Sequence, residues 1–108
     1  MTDWIEVALE ADLVDGKPMR VTFEDEPVLV LRAGEDVFAI GNQCTHQGAA
    51  LDKGVLRLSG SVRTVTCPAH GSMFRLEDGK VMRPPATRAV EAYEVKTDDG
   101  RVLIRPRG

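Results

Sequence analysis

Two cysteines, two histidines, one tryptophan and one tyrosine are all that this chain of 108 residues holds of those types. Aromatic residues make up only 5% of it, so any core must be mainly aliphatic. No apolar run approaches the roughly 18 residues that span a bilayer. The opening Met1-Thr2-Asp3-Trp4-Ile5-Glu6 is acidic and lacks the basic start and apolar stretch of a secretion signal. A soluble, cytoplasmic protein is therefore expected, where a disulfide between the two cysteines is the poorer reading. Positive charge is not in excess either. Lys and Arg number 14 against 17 Asp and Glu, a net charge of −3, which argues against nucleic acid or an anionic membrane as the main partner.

Helical spacing of apolar residues is almost absent. What is there is alternation, broken by turn residues every eight to twelve positions or so, as in a small antiparallel β protein. Ile5, Val7 and Leu9 predict a first strand with one buried face, and Met19, Val21 and Phe23 line a second. Val28 to Leu31 is continuously apolar and suits a central strand. Ala33-Gly34-Glu35-Asp36 turns back onto Val37–Ile40. Val55–Leu58 and Val62–Thr66 are expected to pair across Ser59-Gly60. Further turns join Met73–Leu76 to Val81-Met82 and Ala89–Lys96 to Val102–Ile104. The expectation is one all-β domain over residues 1–108. Residues 1–41 and 87–108 form its scaffold, and residues 42–86 form an inserted lobe. Trp4, Phe23, Phe38 and Tyr93 are expected in the core, at roughly 1.5–3 kcal/mol for each large apolar side chain buried.

All four cysteines and histidines fall in two short runs of this lobe. Cys44-Thr45-His46-Gln47-Gly48-Ala49 comes first, and Cys67-Pro68-Ala69-His70-Gly71-Ser72-Met73-Phe74 follows after a hairpin. Each run offers one thiolate and one imidazole, and each starts where strand character stops. Two cysteines with two histidines is the ligand set of a Rieske-type [2Fe–2S] centre, where two histidines replace two cysteines on one iron.

The paired motifs Cys44-x-His46-x-Gly48 and Cys67-Pro68-x-His70-Gly71-Ser72-x-Phe74 resemble the cluster-binding loops of Rieske proteins. The whole chain is similar to the small soluble Rieske-type ferredoxins of bacterial oxygenase systems. The resemblance implies an antiparallel β scaffold carrying a cluster-binding lobe and one [2Fe–2S] cluster. It implies Cys44 and Cys67 on the buried iron, and His46 and His70 on the outer iron near solvent. The implied function is one-electron transfer from a reductase to a terminal oxygenase, with no catalytic residue in this chain. A mononuclear iron oxygenase site needs two more histidines and a carboxylate, and no histidine remains.

Two alternatives stay open on the residues. One is the Rieske small subunit of an assimilatory nitrite reductase, whose partner is the large subunit. The other is a structural Cys2His2 zinc site, disfavoured because zinc spacing usually pairs like ligands in each half.

Several neighbours of the ligands take roles from the same resemblance. Gly48 and Gly71 let backbone N–H groups approach the cluster sulfurs, though ordinary loop glycines would look the same. Ser72 holds the position whose hydroxyl bonds a bridging sulfide in similar proteins of higher potential; a solvated turn serine is the equal alternative. Pro84-Pro85 resembles the proline segment that covers the cluster. Ala49 and Ala69 replace the extra cysteines that tie the loops by a disulfide in the high-potential branch, and Phe74 replaces a tyrosine donor. Fewer hydrogen bonds to sulfur predict a potential low in the Rieske range of roughly −150 to +300 mV. Ala49, Ala50 and Leu51 are expected to form a small apolar docking patch beside His46.

Overall fold

The structure is a computed structural model that describes residues 3–107. Among these residues there are ten strands, two single-turn 3-10 segments and no α-helix. The strands are β1 (Ile5–Leu9), β2 (Met19–Phe23), β3 (Glu26–Ala33), β4 (Asp36–Gly41), β5 (Val55–Arg57), β6 (Thr64–Thr66), β7 (Met73–Arg75), β8 (Val81–Arg83), β9 (Ala92–Asp98) and β10 (Arg101–Pro106). One six-stranded sheet runs β1-β10-β9-β4-β3-β2, and a four-stranded sheet runs β5-β6-β7-β8. Every pairing is antiparallel. The last hairpin closes the large sheet: Tyr93 stands opposite Ala39 on β4, and Ile104 opposite Ile5 on β1.

Strand β3 explains why the core has two halves. Successive side chains of a strand point to opposite faces, so an unbroken apolar run must be covered on both. Val28 and Val30 pack with Val21, Phe23, Ala39, Tyr93, Val102 and Ile104 on one face. Leu29 and Leu31 face the other way, into a cluster with Ile40, Leu51, Val65, Phe74 and Leu76. Both cysteines belong to this second cluster. The large sheet thus supplies the apolar floor beneath the two loops.

The structure departs from the expected strand details in four places. Leu9 is half exposed, because the β1–β10 register shifts between Glu6 and Ala8; after the bulge Ala8 faces the core instead. Trp4 is not a core residue. Its ring is flanked by the Lys96 ammonium at 4.7 Å and the Arg105 guanidinium at 4.3 Å, cation–π contacts at the sheet surface. The hairpin between β5 and β6 pairs only Val55–Arg57 with Thr64–Thr66, so its loop spans 58–63 and Val62 is exposed. Finally, β9 begins at Ala92, because 86–91 serves the site described below.

The turn between β7 and β8 carries a forked ion pair. Arg75 Nε donates to Asp78 Oδ1 at 2.9 Å while its Nη2 donates to Oδ2, and the Lys80 N–H donates to the same carboxylate. The Arg75 hydrogen bond, more than any other group, pulls the Asp78 carboxyl from its usual 3.8 down to about 2. A depressed carboxyl favours the native state above the unfolded pKa and loses that advantage as pH falls through the native one. The acid limb of stability is therefore expected to contain a step between roughly pH 4 and pH 2. In Asp78→Asn that step should flatten in thermal melts recorded across the window; an unaltered acid limb would remove the pair from the account.

Candidate metal centre

The two motif loops share one backbone design. In each, the cysteine N–H donates to the carbonyl five residues on: Cys44 to Ala49 at 2.8 Å and Cys67 to Ser72 at 2.7 Å. In each, the glycine N–H returns to the cysteine carbonyl: Gly48 to Cys44 at 2.7 Å and Gly71 to Cys67 at 3.2 Å. Such a tight return needs a left-handed residue, and Gly48 and Gly71 have φ of 77° and 81°. The glycines' own N–H groups are therefore spent on closing the loops, so any amide that approaches the cluster sulfurs must belong to another residue of the loops. In this frame His46 and His70 occupy neighbouring rather than equal positions, which accounts for Cys-x-His in one loop and Cys-x-x-His in the other.

Burial separates the four side chains by type. Cys44 and Cys67 are each 3% exposed and unbridged, whereas His46 and His70 are exposed. The two imidazoles meet edge to face, ring centroids 5.2 Å apart and planes at 87°. The topology thus brings all four sequence-predicted residues to one end of the short sheet. Among the described residues, no three His, Cys, Asp or Glu side chains surround a single point fit for one metal ion. A buried thiol pair beneath an exposed imidazole pair matches the donor set of a two-iron cluster, soft sulfur on one iron and nitrogen on the other.

Ser72 adds an orphaned donor to this picture. It is fully buried, which removes the solvated-serine reading. Its Oγ accepts the Ala86 N–H at 3.0 Å. Among the described residues no hydrogen bond from this hydroxyl to a protein acceptor is found, so its proton is left for an acceptor that the polypeptide does not supply. The same bond ties Pro84-Pro85-Ala86 to the second loop, while Thr45 Oγ1 donates to the Arg88 carbonyl at 2.6 Å and ties the next residues to the first.

Two supporting residues carried no signal in the sequence. Asn42, 1% exposed, donates from Nδ2 to Asp52 at 2.8 Å and accepts the Asp52 N–H at 2.7 Å. Its backbone N–H bonds Pro27 and its carbonyl accepts from Leu51. Asn42 thereby clamps the first loop at both ends. A polar residue just after a strand reads as ordinary turn chemistry, and a partner ten positions on has no local mark. The clamp also buries Leu51 completely, so Leu51 is core and leaves the expected docking patch; Ala49 and Ala50 stay partly exposed.

Fold and loops together define a small all-β protein built around a two-cysteine, two-histidine centre. The Rieske [2Fe-2S] domain matches residues 3–94, and the chain belongs to that family, which implies a Rieske [2Fe–2S] cluster. It is similar to the ferredoxin component of the naphthalene 1,2-dioxygenase system of Pseudomonas putida, with 31% identity over 101 residues, 94% of this chain and 93% of the relative. The ferredoxin of carbazole 1,9a-dioxygenase from Nocardioides aromaticivorans IC177 superposes with a TM-score of 0.88 at 31% identity, covering 98% of this chain and all of that one. A ferredoxin matched at a TM-score of 0.81 and 29% identity, over 94% of this chain and 91% of its own, comes from a complex of reduced oxygenase and oxidised ferredoxin in carbazole 1,9a-dioxygenase.

Proposed function

We propose that Cys44 and Cys67 ligate the inner iron and His46 and His70 the outer iron of one [2Fe–2S] cluster, held by a lobe of residues 42–86 on a scaffold of residues 1–41 and 87–108. The chain is the ferredoxin component of a dioxygenase system: it carries one electron at a time to a terminal oxygenase. The observation that carries the ligand assignment is the split burial of the four side chains. Thiolates inside keep water from the cluster sulfurs, while imidazole edges outside leave a short path to a docked partner. The cluster supplies the redox change, and the protein supplies ligands, burial and the Ser72 hydroxyl. No helix among the described residues is long and apolar enough to cross a membrane. The two unbridged cysteines suit a reducing, cytoplasmic setting for the carrier.

A donor to sulfur favours the reduced, more negative cluster, so Ser72→Ala should lower the reduction potential. A hydrogen bond to a charged acceptor is worth about 1.5–3 kcal/mol, or roughly 60–130 mV for one electron at most. Protein-film voltammetry of the two proteins reads this directly, and equal potentials would take Ser72 out of the cluster's environment. The functional test is turnover of a terminal oxygenase with a flavin reductase, this protein being the only link between them. Co-purification with a sirohaem enzyme, and no transfer to any oxygenase, would instead make it a nitrite reductase subunit.

A further inference from the structure

Charge is unevenly divided along the chain. Residues 42–86 hold six Lys and Arg against three Asp and Glu, a net +3, and the remaining residues hold eight against fourteen, a net −6. Within the first group, Arg63 and Arg75 are taken up by ion pairs with Asp36 and Asp78. Of the other four, Arg57 pairs with Thr64 at the far end of β5 and Lys80 lies in the β7–β8 turn, away from the motif loops. Lys53, Arg83 and nearby Arg88 are exposed and join none of the ion pairs among the described residues.

These three cations lie beside the motif loops. Arg83 stands opposite Met73 at the end of β8, directly before the segment whose Ala86 N–H bonds Ser72. The Arg88 carbonyl holds Thr45, the residue between Cys44 and His46. Lys53 closes the 3-10 turn after the first loop, its N–H on the Ala50 carbonyl. Acidic groups border the rim on one side. Asp52 is held by the Asn42 amide, and Glu24, Glu26 and Glu91 line a groove with Tyr93 that reaches Thr45 from the large sheet. The oxidised cluster with its two thiolates is neutral and the reduced one carries a single negative charge, so the cluster does not cancel the rim.

We propose that Lys53, Arg83 and Arg88 form a positive docking rim around the histidine face, and that it fits a redox partner protein whose surface around its own centre is acidic. The proposal rests on the electron-carrier reading above. Range decides which charge a partner feels. The molecule is 39 Å long, whereas screening at physiological ionic strength acts over about 8 Å. A reagent at the histidines is governed by the local rim and not by the chain's net −3.

The two charges predict opposite signs in one experiment. The reduced holoprotein is oxidised in a stopped-flow instrument by hexacyanoferrate(III), an anion, and by hexaammineruthenium(III), a cation. Each reaction moves one electron from the cluster to the reagent. Above about 0.1 M ionic strength, where screening is within roughly 10 Å, added salt should slow the anion and speed the cation. Arg83→Glu/Arg88→Glu should reverse both trends and cut the anion's rate roughly tenfold. Lys17→Glu/Arg20→Glu makes the same change in net charge at the far end of β2, and should reverse neither. Anion rates that rise with salt in the unaltered protein, or equal effects of the two double variants, would overturn the proposal. Co-sedimentation with phosphatidylserine vesicles would make the rim a lipid surface and overturn it as well. A colourless protein that transfers electrons to neither reagent refutes the carrier reading, and the proposal falls with it.

Discussion

Cys67→Ala and Cys44→Ala proteins are each expected to be colourless and to retain less than roughly a tenth of the iron. Both thiols are 3% exposed within an apolar cluster that includes Leu51, Val65 and Phe74, so no water-borne ligand can readily substitute for a missing sulfur. Alanine adds no steric conflict, and the vacated volume is small. The folded state should therefore suffer mainly through lost cluster binding, because a site preformed only in the native state contributes its binding free energy to folding. The histidines give the contrast. His46 and His70 are exposed, so alanine there removes little packing. Those variants should match the unaltered apoprotein in thermal stability while failing to hold the cluster. Iron and sulfide assays with calorimetry of apo and holo forms check both halves. A Cys67→Ala protein that kept full iron would break the ligand assignment.

Gly54→Ala is expected to be a severely damaging methyl addition beside Cys67. Gly54 has φ −85°, an ordinary conformation, so the argument is one of space alone. A Cβ there would lie 2.1 Å from the Thr66 carbonyl oxygen and 3.1 Å from that of Leu51. Neither is a flexible side-chain end. Thr66 directly precedes Cys67 and pairs with Val55 in the β5–β6 ladder, so relief must displace Cys67 or part the hairpin. A cost of about 2–4 kcal/mol is expected, visible in thermal or urea melts of the holoprotein. Gly60→Ala is the control. It lies in the exposed loop with nothing within 4 Å, and its φ of 87° limits the cost to about 1 kcal/mol. Equal losses in the two variants would show that the close approach to Thr66 does not constrain the loop.

The fold was legible where burial and alternation coincide. Val28 to Leu31 is apolar on every residue because β3 is covered on both faces, and Met19, Val21 and Phe23 alternate because β2 is covered on one. Legibility failed where a local event changed the phase. The bulge after Glu6 turned Leu9 outward with no residue to announce it. Trp4 is large and apolar, yet two cations on neighbouring strands hold it at the surface, and no local spacing encodes such a cross-strand pairing.

In the site, residue types were legible and their support was not. Two cysteines and two histidines in two short runs stand out in a chain that has no others. The matched hydrogen bonds of the two loops depend on backbone closure, which one-residue-different histidine spacings conceal. Asn42 and Asp52 look like solvated polar residues until a turn folds one onto the other. Leu51 looked like a surface patch for the same reason. Ser72 reads equally as a solvated turn residue or a donor to the cluster because a hydroxyl suits both, and its complete burial removes the first of these.

The most direct test of the central claim is the chemistry of the purified, aerobically prepared protein. Two irons and two acid-labile sulfides per chain are expected, with visible absorption that bleaches on one-electron reduction as a paramagnetic signal appears. One zinc, no sulfide and no visible absorption would contradict the account.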